Sequence, residues 1–315
     1  MLQKTNIAIS RIQHIIKNID EILLNIKTES VLLDKVIDQI SGGKRLRPIL
    51  VVASARSLGF DEEKILHDTA CIVEYIHIAS LLHDDVIDEA KKRRGKESVN
   101  YAYGNRVAIM SGDYLYSLAY NKVLDVDINI AKEISKAAYN LALGEISEIE
   151  NFSKIIKEEE YFDIIYKKTA SLIESSCTSG CLLAKNPTQL DYFREYGKNL
   201  GLAFQIKDDL MDYSNKDIGK DTYNDIQEGK VTLPLILAFQ KDSQLQYHLN
   251  EYFKTKKEEH KQYCIASCKA YGVDRAFEVA KQKALTAKQS IQHLPGSIYK
   301  DILLFLADYA VSREK

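Results

Sequence analysis

At 315 residues, 45% hydrophobic and 28% charged, the chain has the composition of an ordinary globular protein with material for a large core. A formal net charge of -2 gives no electrostatic case for binding nucleic acid. Four prolines and fourteen glycines leave few helix breakers, which favours helices.

The N-terminal stretch "MLQKTNIAIS" has neither a signal-peptide core nor a small-residue cleavage site. It opens instead on helical spacing through Ile7, Ile12, Ile15, Ile16 and Ile19. The same periodicity predicts helices near 5–27, 30–40, 46–58, 62–91, 105–124, 128–151, 158–184 and 189–213. Further helices are predicted near 231–240, 244–253, 257–271, 273–292 and 298–312. No alternating strand pattern is predicted. The most apolar run, "LPLILAF" (233–239), is far below the roughly 18 residues of a membrane span, so a cytoplasmic protein is expected. Contact with a membrane surface stays open. The pairs Cys177/Cys181 and Cys264/Cys268 have no histidine at finger-like spacing and are read as small buried residues.

Breaks between the helices carry glycines and charges: "SGGKRLRP" (41–48), "KKRRGKES" (91–98) and "YSNKDIGKDTYNDIQEGK" (213–230). None resembles a flexible linker, so one all-α domain over 1–315 is expected. Long polar loops in a helix bundle invite a functional reading.

Two acidic clusters share one spacing. Asp84, Asp85 and Asp88 in "HIASLLHDDVID" are matched by Asp208, Asp209 and Asp212 in "QIKDDLMDY", 124 positions later (208 − 84). In a helix the first and third aspartates stand one turn apart on one face, with the second about 100° round. Such hard oxygen ligands suit Mg²⁺ sharing its shell with substrate phosphates. Two such clusters facing each other could hold several ions on one diphosphate. Lys44, Arg45 and Arg47, then Arg93 and Arg94, then Lys168, Lys220 and Lys230 supply cations, the arginines with forked donors for phosphate oxygens. Acid pairs and basic loops together describe a pocket for two diphosphates, one held through metal and one by direct ion pairing.

These motifs, "GGKRLRP", "HIASLLHDDVID", "RRG", "GDYL", "KTASLI", "GLAFQIKDDLMDY" and "GKVTLPL", resemble those of the trans-type polyprenyl diphosphate synthases, most like the long-chain members such as octaprenyl diphosphate synthases. The resemblance implies an all-α bundle of the isoprenoid synthase type with a central active-site cavity, acting as a homodimer. It implies three Mg²⁺ ions ligated by Asp84, Asp88 and Asp208, with Asp85, Asp209 and Asp212 in or beside the shell. Arg93, Lys168 and Lys220 would bind the allylic diphosphate, farnesyl or geranylgeranyl, with Lys230 beside them. Lys44, Arg47, His77 and Arg94 would hold isopentenyl diphosphate, and Thr169 and Gln205 would lie near the reactive carbon. The allylic carbon–oxygen bond then ionises, the double bond of isopentenyl diphosphate attacks the cation, and a proton is lost to the departing diphosphate. The chain departs from the family at Tyr223, where a glycine is usual, which leaves that loop's conformation open.

In this family bulky aromatics five and four residues before the first aspartate cut elongation short. This chain has Ala79 and Ser80 there, with Ile76, Tyr116 and Tyr120 as candidate floor residues. A helix turn advances about 5.4 Å, close to one isoprene unit, so a product of about thirty to forty carbons for a quinone side chain is expected. The rivals are a short-chain farnesyl or geranylgeranyl synthase, a non-catalytic partner subunit and a terpene cyclase. Ala79 and Ser80 speak against the first and the two whole acidic motifs against the second. The cations for a second diphosphate speak against the third.

Overall fold

Helical spacing is realised almost throughout. The computed structural model describes residues 2–26, 28–40, 42–213 and 223–313. In chain order these form α1 (Leu2–Leu24), α2 (Val31–Gln39), α3 (Leu46–Ser57) and α4 (Glu63–Ile87). A hairpin of β1 (Lys92–Arg93) and β2 (Lys96–Glu97) follows, then α5 (Val99–Tyr103), α6 (Asn105–Leu124), α7 (Ile128–Glu150) and α8 (Glu158–Ile165). A π turn at Tyr166–Ala170 leads to α9 (Ser171–Leu183), a 3-10 turn at Pro187–Gln189, α10 (Leu190–Met211) and α11 (Asn224–Glu228). The rest is α12 (Leu233–Phe239), α13 (Leu245–Thr255), α14 (Glu258–Tyr271), α15 (Val273–Ser290) and α16 (Ile298–Ser312).

Local chemistry sets several ends. Ser30 caps α2 by accepting the Leu33 N–H at 3.3 Å. Glu160 reaches back to the Lys157 N–H at 2.8 Å, and three glutamates in the first turn of α8 complement the helix dipole. Two expectations needed correction. The helix predicted to run to 91 stops at Ile87, because Asp88 closes it and Glu89 turns left-handed at φ 48°. The residues after it form the hairpin, whose strands of two residues are too short to show alternation.

The chain divides into two compact units. The first comprises Met1–Ala138, Leu172–Arg194 and His293–Phe305; the second comprises Tyr139–Ser171, Glu195–Gln292 and Leu306–Lys315. In the first, α4 is the central helix, packed on α3 and α6, with Leu66, Ile72 and Ile76 fully buried. Gly112 of α6 admits the His83 ring of α4, whose Nε2 lies 2.3 Å from where a Cβ would stand. α4 is the one helix among the described residues long and apolar enough to cross a membrane, and 67% of that apolar window is buried inside the structure.

In the second unit α12 is the hub, with Leu233 to Ala238 all buried against α13, α14 and α15. The five cysteines are buried free thiols, as expected of small core residues, and burial pushes Cys71, Cys181 and Cys264 up to about 12.

Candidate active site

The first acidic motif ends α4. Asp88 donates its backbone N–H to the Asp84 carbonyl at 2.8 Å, so their side chains stand one turn apart on one face. Asp84 is half-buried and Asp88 exposed. Asp85 is different: it is buried and accepts Arg93 Nε at 2.8 Å as well as Arg93 Nη2, while its carbonyl accepts Asn100 Nδ2 at 2.9 Å. Asp85 therefore anchors the arginine.

Arg94 and Gly95 form the two-residue tip of the hairpin, both with positive φ (52° and 79°), as a type I′ turn demands. That turn sends the Arg94 side chain back to the Gly42 carbonyl. Its guanidinium fills the place of a side chain on Gly43, with Cζ 2.6 Å from where a Cβ would stand, at a backbone φ of 115°. Glycine here makes room for an arginine. Lys44 is exposed, and Arg47 and His77 are half-buried. Burial, then the charges of Arg47 and Arg94, push the His77 imidazole well below its ordinary pKa, so it is a neutral donor among cations. The cluster suits a phosphate-bearing anion.

The second motif lies in the second unit. Asp208 pairs with Arg313 at 2.8 Å, and Arg313 also donates to the Phe204 carbonyl at 2.8 Å. Asp209 is buried and accepts Tyr161 Oη at 2.6 Å and Gln205 Nε2 at 2.8 Å; Gln205 Oε1 in turn accepts Thr169 Oγ1 at 2.7 Å. Asp212 accepts the N–H groups of Asn224 and Asp225 at 2.9 and 3.1 Å and so caps α11. Tyr223, where the resemblance leads one to expect a glycine, stands left-handed at φ 65°, the conformation a glycine adopts freely. Tyr213 packs edge-on to its ring and the Lys269 ammonium lies 5.1 Å from its centre.

Lys168 and Thr169 lie in the π turn, a helix irregularity that recurs at functional sites. Gly144 of α7 and Gly201 of α10 allow its backbone to approach: a Cβ on either would stand 2.6 Å from Lys168 N or 2.4 Å from Ala170 Cα. Lys168 Nζ meets Glu145 at 2.8 Å and Glu148 at 2.5 Å. Burial alone would lower its pKa, but the two glutamates outweigh it and keep the ammonium charged. Lys230 meets Glu228 at 2.8 Å and Glu148 at 3.7 Å. Lys168, Lys230, Gln205, Asp209, Asp225 and Tyr161 line one cavity of about 140 Å³.

Burial also pushes the Asp209 carboxyl up, to about 7, against the lowering effect of Tyr161 and Gln205; burial and Asp209 raise Asp225. A raised carboxyl binds its proton more tightly folded than unfolded, so stability is lost as pH climbs from the ordinary carboxylate range to about 7. The metal-free protein is therefore expected to melt at a higher temperature at pH 5 than at pH 7.5. Asp209→Asn should flatten that dependence; a dependence unchanged in the variant would assign it to other groups.

Divalent-cation ligation fits this donor set. All six aspartates carry hard oxygens; Asp85 meets Arg93, Asp208 meets Arg313, Asp209 meets Tyr161 and Gln205, and Asp212 meets the α11 backbone. Among the described residues no three His, Cys, Asp or Glu side chains converge to cage a metal. Mg²⁺ takes one or two carboxylates and completes its shell with water and substrate phosphate, so it needs no cage. Lys220 lies outside the described residues. Of the candidate chain-length residues, Ile76 and Ala79 are fully buried, Ser80 and Tyr116 half-buried, and Tyr120 is 36% exposed. Tyr116 stacks on Tyr120 with ring centres 6.4 Å apart. Sequence reasoning missed Glu145, Glu148, Tyr161 and Arg313; the i, i+3 glutamates of "GEISEIE" were the one signal that could have found the first two, and Tyr161 and Arg313 carry none.

The chain matches the polyprenyl synthetase family over residues 30–268. It is 36% identical over 280 residues to an octaprenyl diphosphate synthase of Haemophilus influenzae, covering 86% of this chain and 85% of that one. Its fold is similar to a heptaprenyl diphosphate synthase of Staphylococcus aureus, with a TM-score of 0.91, 28% identity and coverage of 96% and 99%. It is also similar to a polyprenyl synthase of Caulobacter crescentus complexed with calcium and isoprenyl diphosphate, with a TM-score of 0.84, 28% identity and coverage of 100% and 97%. With the motifs, the helical architecture and a match over most of its length, the chain belongs to the polyprenyl synthetase family.

Proposed function

We propose that this protein is a prenyltransferase that condenses isopentenyl diphosphate head-to-tail onto an allylic diphosphate, making a long-chain all-trans polyprenyl diphosphate. The observation that carries this reading is the cation cluster of the Gly42–Arg47 loop. Lys44, Arg47, Arg94 and neutral His77 make a diphosphate site in addition to the carboxylate motifs, which a cyclase would not need. The relative named for octaprenyl diphosphate synthesis and the structural neighbour named for heptaprenyl diphosphate synthesis support the long product.

Asp84, Asp88 and Asp208 are the proposed Mg²⁺ ligands, three ions in all. Asp85, Asp209 and Asp212 are assigned to holding their neighbours. Bound Mg²⁺ would neutralise the allylic diphosphate and make it a better leaving group. Arg93, Lys168, Lys220 and Lys230 pair with its oxygens. Thr169 and Gln205, locked to each other and to Asp209, present fixed dipoles to the allylic carbon. Ile76, Ala79, Ser80, Tyr116 and Tyr120 are proposed to set a product of about thirty to forty carbons, at roughly one isoprene unit per helix turn. We read residues 1–315 as one synthase domain that works as a homodimer in the cytoplasm, touches membrane transiently to release product, and supplies a quinone side chain.

The test is incubation with Mg²⁺, labelled isopentenyl diphosphate and farnesyl diphosphate, with the dephosphorylated products resolved by length. A ladder ending near thirty to forty carbons is expected. A stop at twenty carbons would sink the long-product reading and leave the reaction class standing. No incorporation by folded protein with any allylic starter would favour a partner subunit.

A further inference from the structure

Within the loop that carries Lys44 and Arg47, Arg45 turns the other way. Its side chain is 1% exposed. Arg45 Nε donates to Asp20 Oδ1 of α1 at 2.7 Å, and Nη1 donates to Glu74 Oε1 of α4 at 2.7 Å. Glu74 is 2% exposed at its side chain and Asp20 30%. Burial alone would lower the guanidinium pKa, but Glu74 and Asp20 outweigh it and raise it. A buried charge with both partners in place is tolerated; one whose partner is removed is not.

The backbone of Arg45 is equally constrained. At φ 49° and ψ 36° it is left-handed, which a side-chain-bearing residue adopts only when its surroundings hold it there. It is also the residue that starts α3, its carbonyl accepting the Ile49 N–H at 3.0 Å. One side of the loop is thus pinned to α1 and α4 through Arg45, and the other to the hairpin through Arg94 on Gly42 and Gly43. Glu74 is three residues from His77 on α4, so the carboxylate that holds Arg45 lies about one turn from the neutral imidazole.

We propose that Arg45 is a positioning residue for the homoallylic diphosphate: locked to Asp20 and Glu74, it fixes the loop so that Lys44 and Arg47 converge on that ligand. Arg45 itself, buried behind the loop, does not touch the substrate. This inference rests on assigning the Gly42–Arg47 loop to isopentenyl diphosphate and names what holds that loop in shape. Its signature is selective. Loosening the lock weakens binding of one diphosphate and leaves the other alone.

The experiment compares wild type with Arg45→Met, Arg45→Lys and the double variant Arg45→Met/Glu74→Gln, which strands less charge. Steady-state KM is measured separately for isopentenyl and farnesyl diphosphates, with thermal melts and calorimetric titration of isopentenyl diphosphate. Arg45→Met, or the double variant if the single one does not fold, is expected to raise KM and Kd for isopentenyl diphosphate about tenfold, equivalent to about 1.4 kcal/mol. KM for farnesyl diphosphate should stay within about twofold, and Arg45→Lys should recover part of the loss. Folded variants with unchanged KM and Kd for isopentenyl diphosphate would overturn the proposal. So would equal rises in both KM values, which mark a general structural role. Failure of the wild type itself to bind isopentenyl diphosphate would instead overturn the assignment of the loop.

Discussion

Replacing Asp84 with asparagine is expected to lower kcat/KM for the allylic diphosphate about a thousandfold, a loss of about 4 kcal/mol of transition-state stabilisation. Asparagine keeps the size of the side chain and removes the charge that a hard divalent cation requires. Asp84 is half-buried at the end of α4 and one turn from exposed Asp88. A rise in the Mg²⁺ concentration for half-maximal activity should accompany the loss, with thermal melting little changed. Asp85→Asn should behave differently, because Asp85 is buried against Arg93 and its loss frees that arginine. Its expected mark is weaker diphosphate binding at an unchanged Mg²⁺ requirement. Should Asp85→Asn shift the Mg²⁺ requirement and Asp84→Asn leave it alone, the two roles would be exchanged.

Gly201→Ala is expected to damage stability and turnover together. The added carbon would stand 2.4 Å from Ala170 Cα and 2.6 Å from its Cβ. The nearest atom is backbone, so no side-chain rotation relieves the clash, and overpacking of this kind costs about 1–3 kcal/mol. The strain falls on the π turn that holds Lys168 and Thr169, so kcat should fall with stability, by about tenfold or more. Adding Ala170→Gly removes one of the two close contacts and should restore part of both. Wild-type melting and turnover in Gly201→Ala would show that the turn shifts without cost.

Much of this was legible because helices write their period into the chain. The runs predicted for α3, α6, α10 and α16 agree with the structure to within two residues at each end, since amphipathic spacing and polar breaks point to the same limits. The repeated aspartate spacing identified the candidate ligands in the same way. What it could not show is which aspartates are already engaged. Asp209 meets Tyr161 from 48 positions away and Asp208 meets Arg313 from 105 (313 − 208), and no local pattern encodes such partners. The π turn escaped notice because one extra residue in a helix leaves the apolar rhythm on either side intact. Arg45 was counted with its neighbours as a basic residue; its burial depends on Glu74, 29 positions on.

Tyr223 has a consequence for how this sequence can drift. A left-handed tyrosine carries a backbone cost of about 1–2 kcal/mol that glycine would not. The ring contacts with Tyr213 and Lys269 offset that cost, and both depend on the ring. Reversion to glycine relieves the strain but discards the ring and enlarges the unfolded ensemble. The two sides nearly cancel, so neither residue is strongly disfavoured once Tyr213 and Lys269 are present. If the position once held glycine, those two residues had to come first, and reversion after their loss would be the easier route back. The conformation at this position is thus held by three residues together rather than by one alone.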